Sequence, residues 1–140
     1  MRLLLDTCII IELITDTGRL SEDVEALLFD ADNQLYMSME SARELIVQFN
    51  NGGIVSKHWK TAKEMLRAIT EEFGVTALPL QWEHMMTYSG LTINERQDHK
   101  DPSDHVIISH AITNRLPLIS SDRKFPFYRK QGLELIENER

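Results

Sequence analysis

Five short apolar runs, RLLLD, QLYMS, VTALPL, PLISS and LELIE, are set apart from one another by longer stretches, most of which carry apolar residues at helical spacing. Short strands that alternate with helices are joined by crossovers and therefore run parallel, so the expected architecture is an α/β sandwich: a central, mostly parallel sheet with helices on both faces. The intervening helices are legible one by one. CIIIELI opens the first, and SEDVEALLFDAD forms a second with Ser21 as N-cap and Glu22 and Asp23 in its favourable first turn. MESARELIVQF follows QLYMS and stops at NNGG, where the backbone favours positive φ. From Ser56 to Phe73, residues Trp59, Ala62, Leu66, Ile69 and Phe73 recur at three- and four-residue steps, which predicts a long amphipathic helix with Lys57, Lys60, Lys63 and Arg67 along the rim of its apolar face. WEHMMTYS is a further helix, and KDPSDHVIISHAITNRL opens with Pro102 just after Asp101 and turns Ile107, Ile108, Ala111 and Ile112 inward.

The 140 residues, 42% hydrophobic and 26% charged, suit one soluble domain over residues 1–140, with no repeat, linker or low-complexity tract. No stretch approaches the run of about 18 apolar residues that spans a bilayer. Met1 and Arg2 lead straight into a strand without the apolar core of a signal peptide, so the expected location is cytoplasmic. Cys8 is the one cysteine and has no internal disulfide partner. A net charge of −7 argues against a partner as anionic as nucleic acid unless positive charge is gathered locally. It gathers at Lys57, Lys60, Lys63 and Arg67, and again at Arg123, Lys124, Arg129 and Lys130; each group also reads as an ordinary solvated face.

The acids carry the chemistry. In open α/β sheets, ligands bind beyond the carboxyl ends of the strands. Asp6 ends the first strand, inside the most apolar neighbourhood of the chain, where a carboxylate acts as a helix cap, pairs with a buried cation, or holds a metal. Asp122 follows PLISS, Glu44 lies in the helix after QLYMS with Glu40 a turn earlier, and Asp101 and Asp104 stand at the start of their helix. Taken singly, Asp101 reads as an N-cap, Asp104 as a partner of the helix dipole and Asp122 as a turn residue. Taken together at one sheet edge, such acids stay ionised only beside a cation, and oxygen ligands select Mg²⁺ or Mn²⁺.

In order and spacing, MRLLLDT, SMESARELIVQ, HKDPSDHVIISHA and LPLISSD resemble the acidic motifs of PIN domains, above all those of VapC toxins of type II toxin-antitoxin modules, over essentially the whole chain. The resemblance implies a PIN-like sandwich and a Mg²⁺- or Mn²⁺-dependent endoribonuclease. It also implies a homodimer, inhibition by a small antitoxin encoded beside it, and an RNA substrate such as transfer RNA. The family's acids fall on Asp6, Glu44, Asp104 and Asp122, with Asp101 as the extra acid of the DPxD subgroup and Ser120 as its small hydroxyl residue. By this likeness Asp6, Asp104 and Asp122 bind metal, and Glu44 acts through water or holds a second ion. Attack by water then leaves a 5′-phosphate and a 3′-hydroxyl. Arg123 and Lys124, next to Asp122, and Lys60 and Arg67 are the expected phosphate contacts.

The chain departs from the family at Cys8, where Asn or His is usual, at Gln48, where lysine is frequent, and at Ser103 and His105, where an aromatic residue and an arginine are frequent. His99, His105 and His110 are conceivable general bases that the mechanism does not require, and His105 and His110, inside a helix pattern, read as surface or structural residues. A haloacid-dehalogenase-type phosphatase needs a second aspartate where Cys8 stands, and a receiver domain needs paired acids after its first strand; neither pattern fits. The rival reading keeps the fold but makes it a catalytically weak RNA-binding or protein-interaction module.

Overall fold

The computed structural model describes residues 1–139. Its elements run β1 (Arg2–Leu5), α1 (Thr7–Thr15), α2 (Glu22–Phe29), β2 (Gln34–Ser38), α3 (Met39–Asn50), α4 (Ala62–Glu71), β3 (Val75–Leu78), α5 (Trp82–Ser89), α6 (Pro102–Asn114), β4 (Leu118–Ser120), a 3₁₀ helix (Phe125–Gln131) and β5 (Leu135–Glu137). The strands form one five-stranded sheet in the order β3-β2-β1-β4-β5, and every pairing is parallel. The α/β sandwich expected from the alternation is therefore present, with a sheet that is wholly rather than mostly parallel.

Strand parity sorts the core into two layers. Leu3, Leu5, Leu35, Met37, Val75 and Ile119 face the layer built from α1 to α4. Leu4 and Leu118 face the other, with Ile107, Ile108 and Ala111 of α6 and Phe125 and Tyr128 of the 3₁₀ helix. Because β1 is covered on both sides, its three leucines are all fully buried, which is why that strand reads as an unbroken apolar run rather than an alternating one. Ile69 of α4 is fully buried against the first layer. Ile69→Ala removes its branched chain from a packed site, with an expected loss of about 2–5 kcal/mol in urea unfolding.

The sheet order reverses at β1, where the chain crosses over one face to reach β2 and returns over the other to reach β4. A crevice opens at such a switch point, beyond the carboxyl ends of β1 and β4.

One helix is shorter than its periodicity predicts. The helix expected over Ser56 to Phe73 is confined to α4, because Thr61 takes the N-cap position and accepts from the Glu64 backbone N–H at 3.2 Å. Trp59 is buried in the first layer from the segment before the helix, so its burial extends the apolar rhythm without extending the helix. Lys57 and Lys60 consequently lie outside α4, and the basic residues do not form one helical stripe.

Candidate metal centre

Asp6 follows directly on Leu5 and is the N-cap of α1. Each carboxylate oxygen has a partner: Oδ1 accepts from the Thr7 backbone N–H at 2.9 Å and Oδ2 accepts from the Ser120 hydroxyl at 2.7 Å. Ser120 ends β4, so the β1–β4 pairing itself brings the two together. The Cys8 thiol lies 3.6 Å from the same Oδ2. Burial, reinforced by Asp6, pushes that thiol up to about 12, so Cys8 remains a protonated, weak donor toward Asp6.

The other acids come in from three elements. Glu44, in the middle of α3, accepts a 2.6 Å hydrogen bond at Oε1 from the Thr7 hydroxyl, whose oxygen lies 3.0 Å from Ser41 Oγ. Asp101 caps α6 by accepting from the Ser103 backbone N–H at 3.0 Å, and Asp104 occupies the first turn of that helix. Asp122, in the loop after β4, accepts from the Lys124 backbone N–H at 2.8 Å. Asp6, Glu44, Asp101, Asp104 and Asp122 line one open pocket of about 410 Å³, together with Thr7, Cys8 and Gln48. Glu40 stays out of it, bridged to Arg43 at 2.6 Å.

Burial, and after it the concentration of acids, shifts their titration. Asp6 is pushed up to about 7, chiefly by burial; the Ser120 hydrogen bond opposes the shift and Asp104 adds to it. Asp104 also reaches about 7, by burial and then by repulsion from Asp101, Asp122 and Glu44, with Lys124 opposing. Glu44 is raised by burial and by Asp6, Asp101 and Glu40, against the Thr7 hydrogen bond. The pocket is thus under electrostatic strain that a divalent cation among carboxylate oxygens relieves. The donor set fits a hard cation: four aspartates and a glutamate, with Thr7 and Ser120 holding two of the carboxylates in place.

The tightest grouping is not the one the sequence predicts. Among the described residues, the only set of three ligating side chains whose atoms lie within 4.8 Å of one another is His99, Asp104 and Asp122; Asp6 is not in it. His99 Nε2 is 2.9 Å from Asp104 Oδ2. The motif HKDPSD places a histidine before the helix, but only the fold turns its ring back onto Asp104. Thr7, buried beside Asp6, is the other neighbour that sequence reasoning passes over.

Of the expected phosphate contacts, Arg123 lines a wider groove of about 880 Å³ with Arg19, Glu12 and Asn138, and this groove shares Cys8 and Ser121 with the acid pocket. Lys124 is close enough to Asp104 to favour its ionised form. Lys60 and Arg67 line a separate groove, where Glu64, Glu71 and Glu72 interleave with them. His105 and His110 are buried: His105 Nε2 bonds to the His99 carbonyl at 3.0 Å, and His110 Nδ1 lies 2.9 Å from Ser38 Oγ. Of the two readings open for them, surface or structural, burial excludes the surface one.

The sheet is all parallel, and the acid-lined pocket lies beyond the carboxyl ends of its strands, so the chain is an α/β protein with carboxylates gathered at its switch point. The chain belongs to the PIN domain family, whose profile matches residues 3–132. Its structure is similar to that of VapBC2 from Rickettsia felis bound to a promoter DNA fragment, with 20% identity over 99% of this chain and 100% of that one and a TM-score of 0.71. It also resembles VapBC-1 from nontypeable Haemophilus influenzae, with 23% identity over 98% of each chain and a TM-score of 0.67. VapBC-5 from Mycobacterium tuberculosis is similar at 18% identity over 97% of this chain and 98% of that one, with a TM-score of 0.58. No curated protein matches the chain in sequence.

Proposed function

We propose that this PIN domain is a VapC-type toxin: a Mg²⁺- or Mn²⁺-dependent endoribonuclease, cytoplasmic, that hydrolyses RNA phosphodiester bonds and is restrained by a cognate antitoxin. The observation that carries the reading is the meeting of Asp6, Glu44, Asp101, Asp104 and Asp122 in one pocket. The fold shared with toxin-antitoxin proteins supports the partner. Among the described residues, no helix is long and apolar enough to cross a membrane.

Asp6, Asp104 and Asp122 would hold the cation, and Glu44 would take a water of its shell or a second ion. When bound, a divalent ion acidifies water and supplies positive charge to the phosphodiester. The chain's own side chains do the rest. Ser120 and Thr7 keep the Asp6 and Glu44 carboxylates aimed into the pocket. Lys124 offsets Asp104 at the rim, and Arg123 with Arg19 offers the RNA backbone cationic contacts in the adjoining groove, among Glu12, Glu137 and Glu139. Asp101 serves both as cap of α6 and as the outer acid of the pocket.

Incubation of the purified chain with transfer RNA and with a single-stranded RNA in millimolar Mn²⁺ is expected to give internal cuts ending in 5′-phosphate, halted by EDTA and restored by fresh Mn²⁺. Cleavage that persists in EDTA refutes the metal dependence, and RNA that is bound but never cut favours the binding-module reading.

An apolar face on α5 supports self-association: Trp82 is 76% exposed, with Met85 and Met86 beside it on the same helix. A homodimer is expected in light scattering, and Trp82→Asp is expected to shift it to monomer with the fold retained by circular dichroism.

A further inference from the structure

His99 reaches Asp104 from behind. Its side chain is 2% exposed, and it lines not the acid pocket but a separate cavity of about 440 Å³ with Ile93, Glu95 and His105. Both ring nitrogens are engaged: Nδ1 lies 2.9 Å from the Tyr128 hydroxyl, and Nε2 lies 2.9 Å from Asp104 Oδ2. Two groups therefore compete to define which nitrogen carries the hydrogen.

A third partner favours one answer. The backbone N–H of Asn94 donates to the Tyr128 oxygen at 3.0 Å, so that oxygen already accepts one bond. The phenol has one hydrogen, and Nδ1 of His99 is the acceptor beside it. With Nδ1 accepting, the neutral ring carries its hydrogen on Nε2 and donates it to Asp104. The opposite tautomer would set an Nε2 lone pair against Asp104 Oδ2, which is repulsive whenever that carboxylate is ionised. The relay is anchored at each end: Asn94 Nδ2 donates to the Lys124 carbonyl at 3.1 Å, and His105 Nε2 holds the His99 carbonyl at 3.0 Å. The rings themselves are packed, His99 against His105 at 4.7 Å edge-to-face and against Phe125 at 5.6 Å.

We propose that His99 is a positioning residue for Asp104 and not a metal ligand: fed by Tyr128, its Nε2–H occupies Oδ2 and reserves the carboxylate's other oxygen for the cation. The inference rests on the reading of Asp104 as a ligand. A group that fixes a ligand's orientation typically changes metal affinity by about 10–100-fold when removed.

The test is Mn²⁺ binding to the full chain, followed by calorimetry and by electron spin resonance, with folding checked by circular dichroism. His99→Leu is expected to weaken Mn²⁺ binding at least tenfold, and His99→Gln, whose amide donates from a similar reach, to restore most of it. Nitrogen NMR of the metal-free protein should show His99 protonated at Nε2, and Tyr128→Phe should mix the two tautomers. Bound Mn²⁺ in the wild type should show no imidazole nitrogen coupling. Such a coupling, if it vanishes in His99→Gln, makes His99 a ligand and overturns the proposal, as does a ring protonated at Nδ1. Mn²⁺ affinity that falls in Asp104→Asn but is unchanged in His99→Leu overturns the positioning role alone. Affinity unchanged in Asp104→Asn overturns the metal-site reading and the inference with it.

Discussion

Asp6→Asn is expected to abolish RNA cleavage while making the metal-free protein more stable. The carboxylate is 5% exposed, and its burial is what lifts it to about 7. Because the folded value lies above the unfolded 3.8, the associated stability is present below pH 3.8 and is lost as pH rises through about 7. At pH 8 the wild type carries the whole penalty of a buried, ionised Asp6. Asparagine keeps the shape and, with its carbonyl turned to Ser120 or to the Thr7 N–H, retains part of the hydrogen bonding, but it has no charge to bury. A gain of roughly 1–3 kcal/mol in urea unfolding at pH 8 is expected, shrinking toward zero near pH 4. Mn²⁺ affinity and turnover should fall together by at least a hundredfold. A variant that retains activity, or that is no more stable than wild type at pH 8, contradicts the assignment of Asp6 as a strained ligand. Residues held in an unfavourable state for function are where stability and activity trade against each other.

Divalent cation should stabilise the fold strongly, and more at high pH than at low. Asp6 and Asp104 are both held near 7, so at pH 8 the metal-free pocket is ionised and self-repelling, while at pH 5.5 both groups are largely protonated and a cation must compete with protons. At a concentration about a hundred times its dissociation constant, an ion adds about 2.7 kcal/mol, which for a chain of this size corresponds to a rise of roughly 5–10 °C in Tm. Calorimetric scans in Mn²⁺ and in EDTA at the two pH values measure the difference directly. An equal rise at both would mean that the ion binds elsewhere.

His110 works in the opposite sense. It is fully buried and packed against His84, the tilted rings 4.0 Å apart at their centroids, and burial, with His84 second, lowers it from 6.5 to about 4. A depressed folded value contributes stability that is present above 6.5 and lost as pH falls toward about 4. In EDTA, between about pH 4 and 6.5, His110 offsets part of the stability that Asp6 and Asp104 lose as pH rises, and His110→Phe should steepen that loss.

The α/β class and the order of the elements were legible because strands buried on both faces leave unbroken apolar runs, as at Leu3 to Leu5, and because Ser21, Pro102 and Gly-containing turns mark where helices begin and end. The start of α4 was misplaced although Thr61 and Glu64 carry the capping signal, because Trp59 is buried for tertiary reasons and counterfeits one more helical turn. Asp101 shows that capping and site chemistry are not exclusive: its carboxylate closes the first turn of α6 and also lines the acid pocket. Cys8 stands where the family usually has Asn or His, yet its thiol is within donating distance of Asp6. His99 went unread as Asp104's partner because no local periodicity reports where a ring in an irregular segment points.

The sequence by itself determined which acids stand just beyond the strands and at the helix starts, since alternation, caps and polarity are local and act through the backbone within a few residues. Tertiary structure alone decided which of those acids become neighbours. That depends on the reversal of sheet order at β1, which sets Ser120 against Asp6 across the β1–β4 pairing, and on the packing of the 3₁₀ helix, which presses Tyr128 onto His99 and so turns its other nitrogen to Asp104. Contacts between residues far apart in the chain are chosen by the burial of whole layers, and no single segment carries that information.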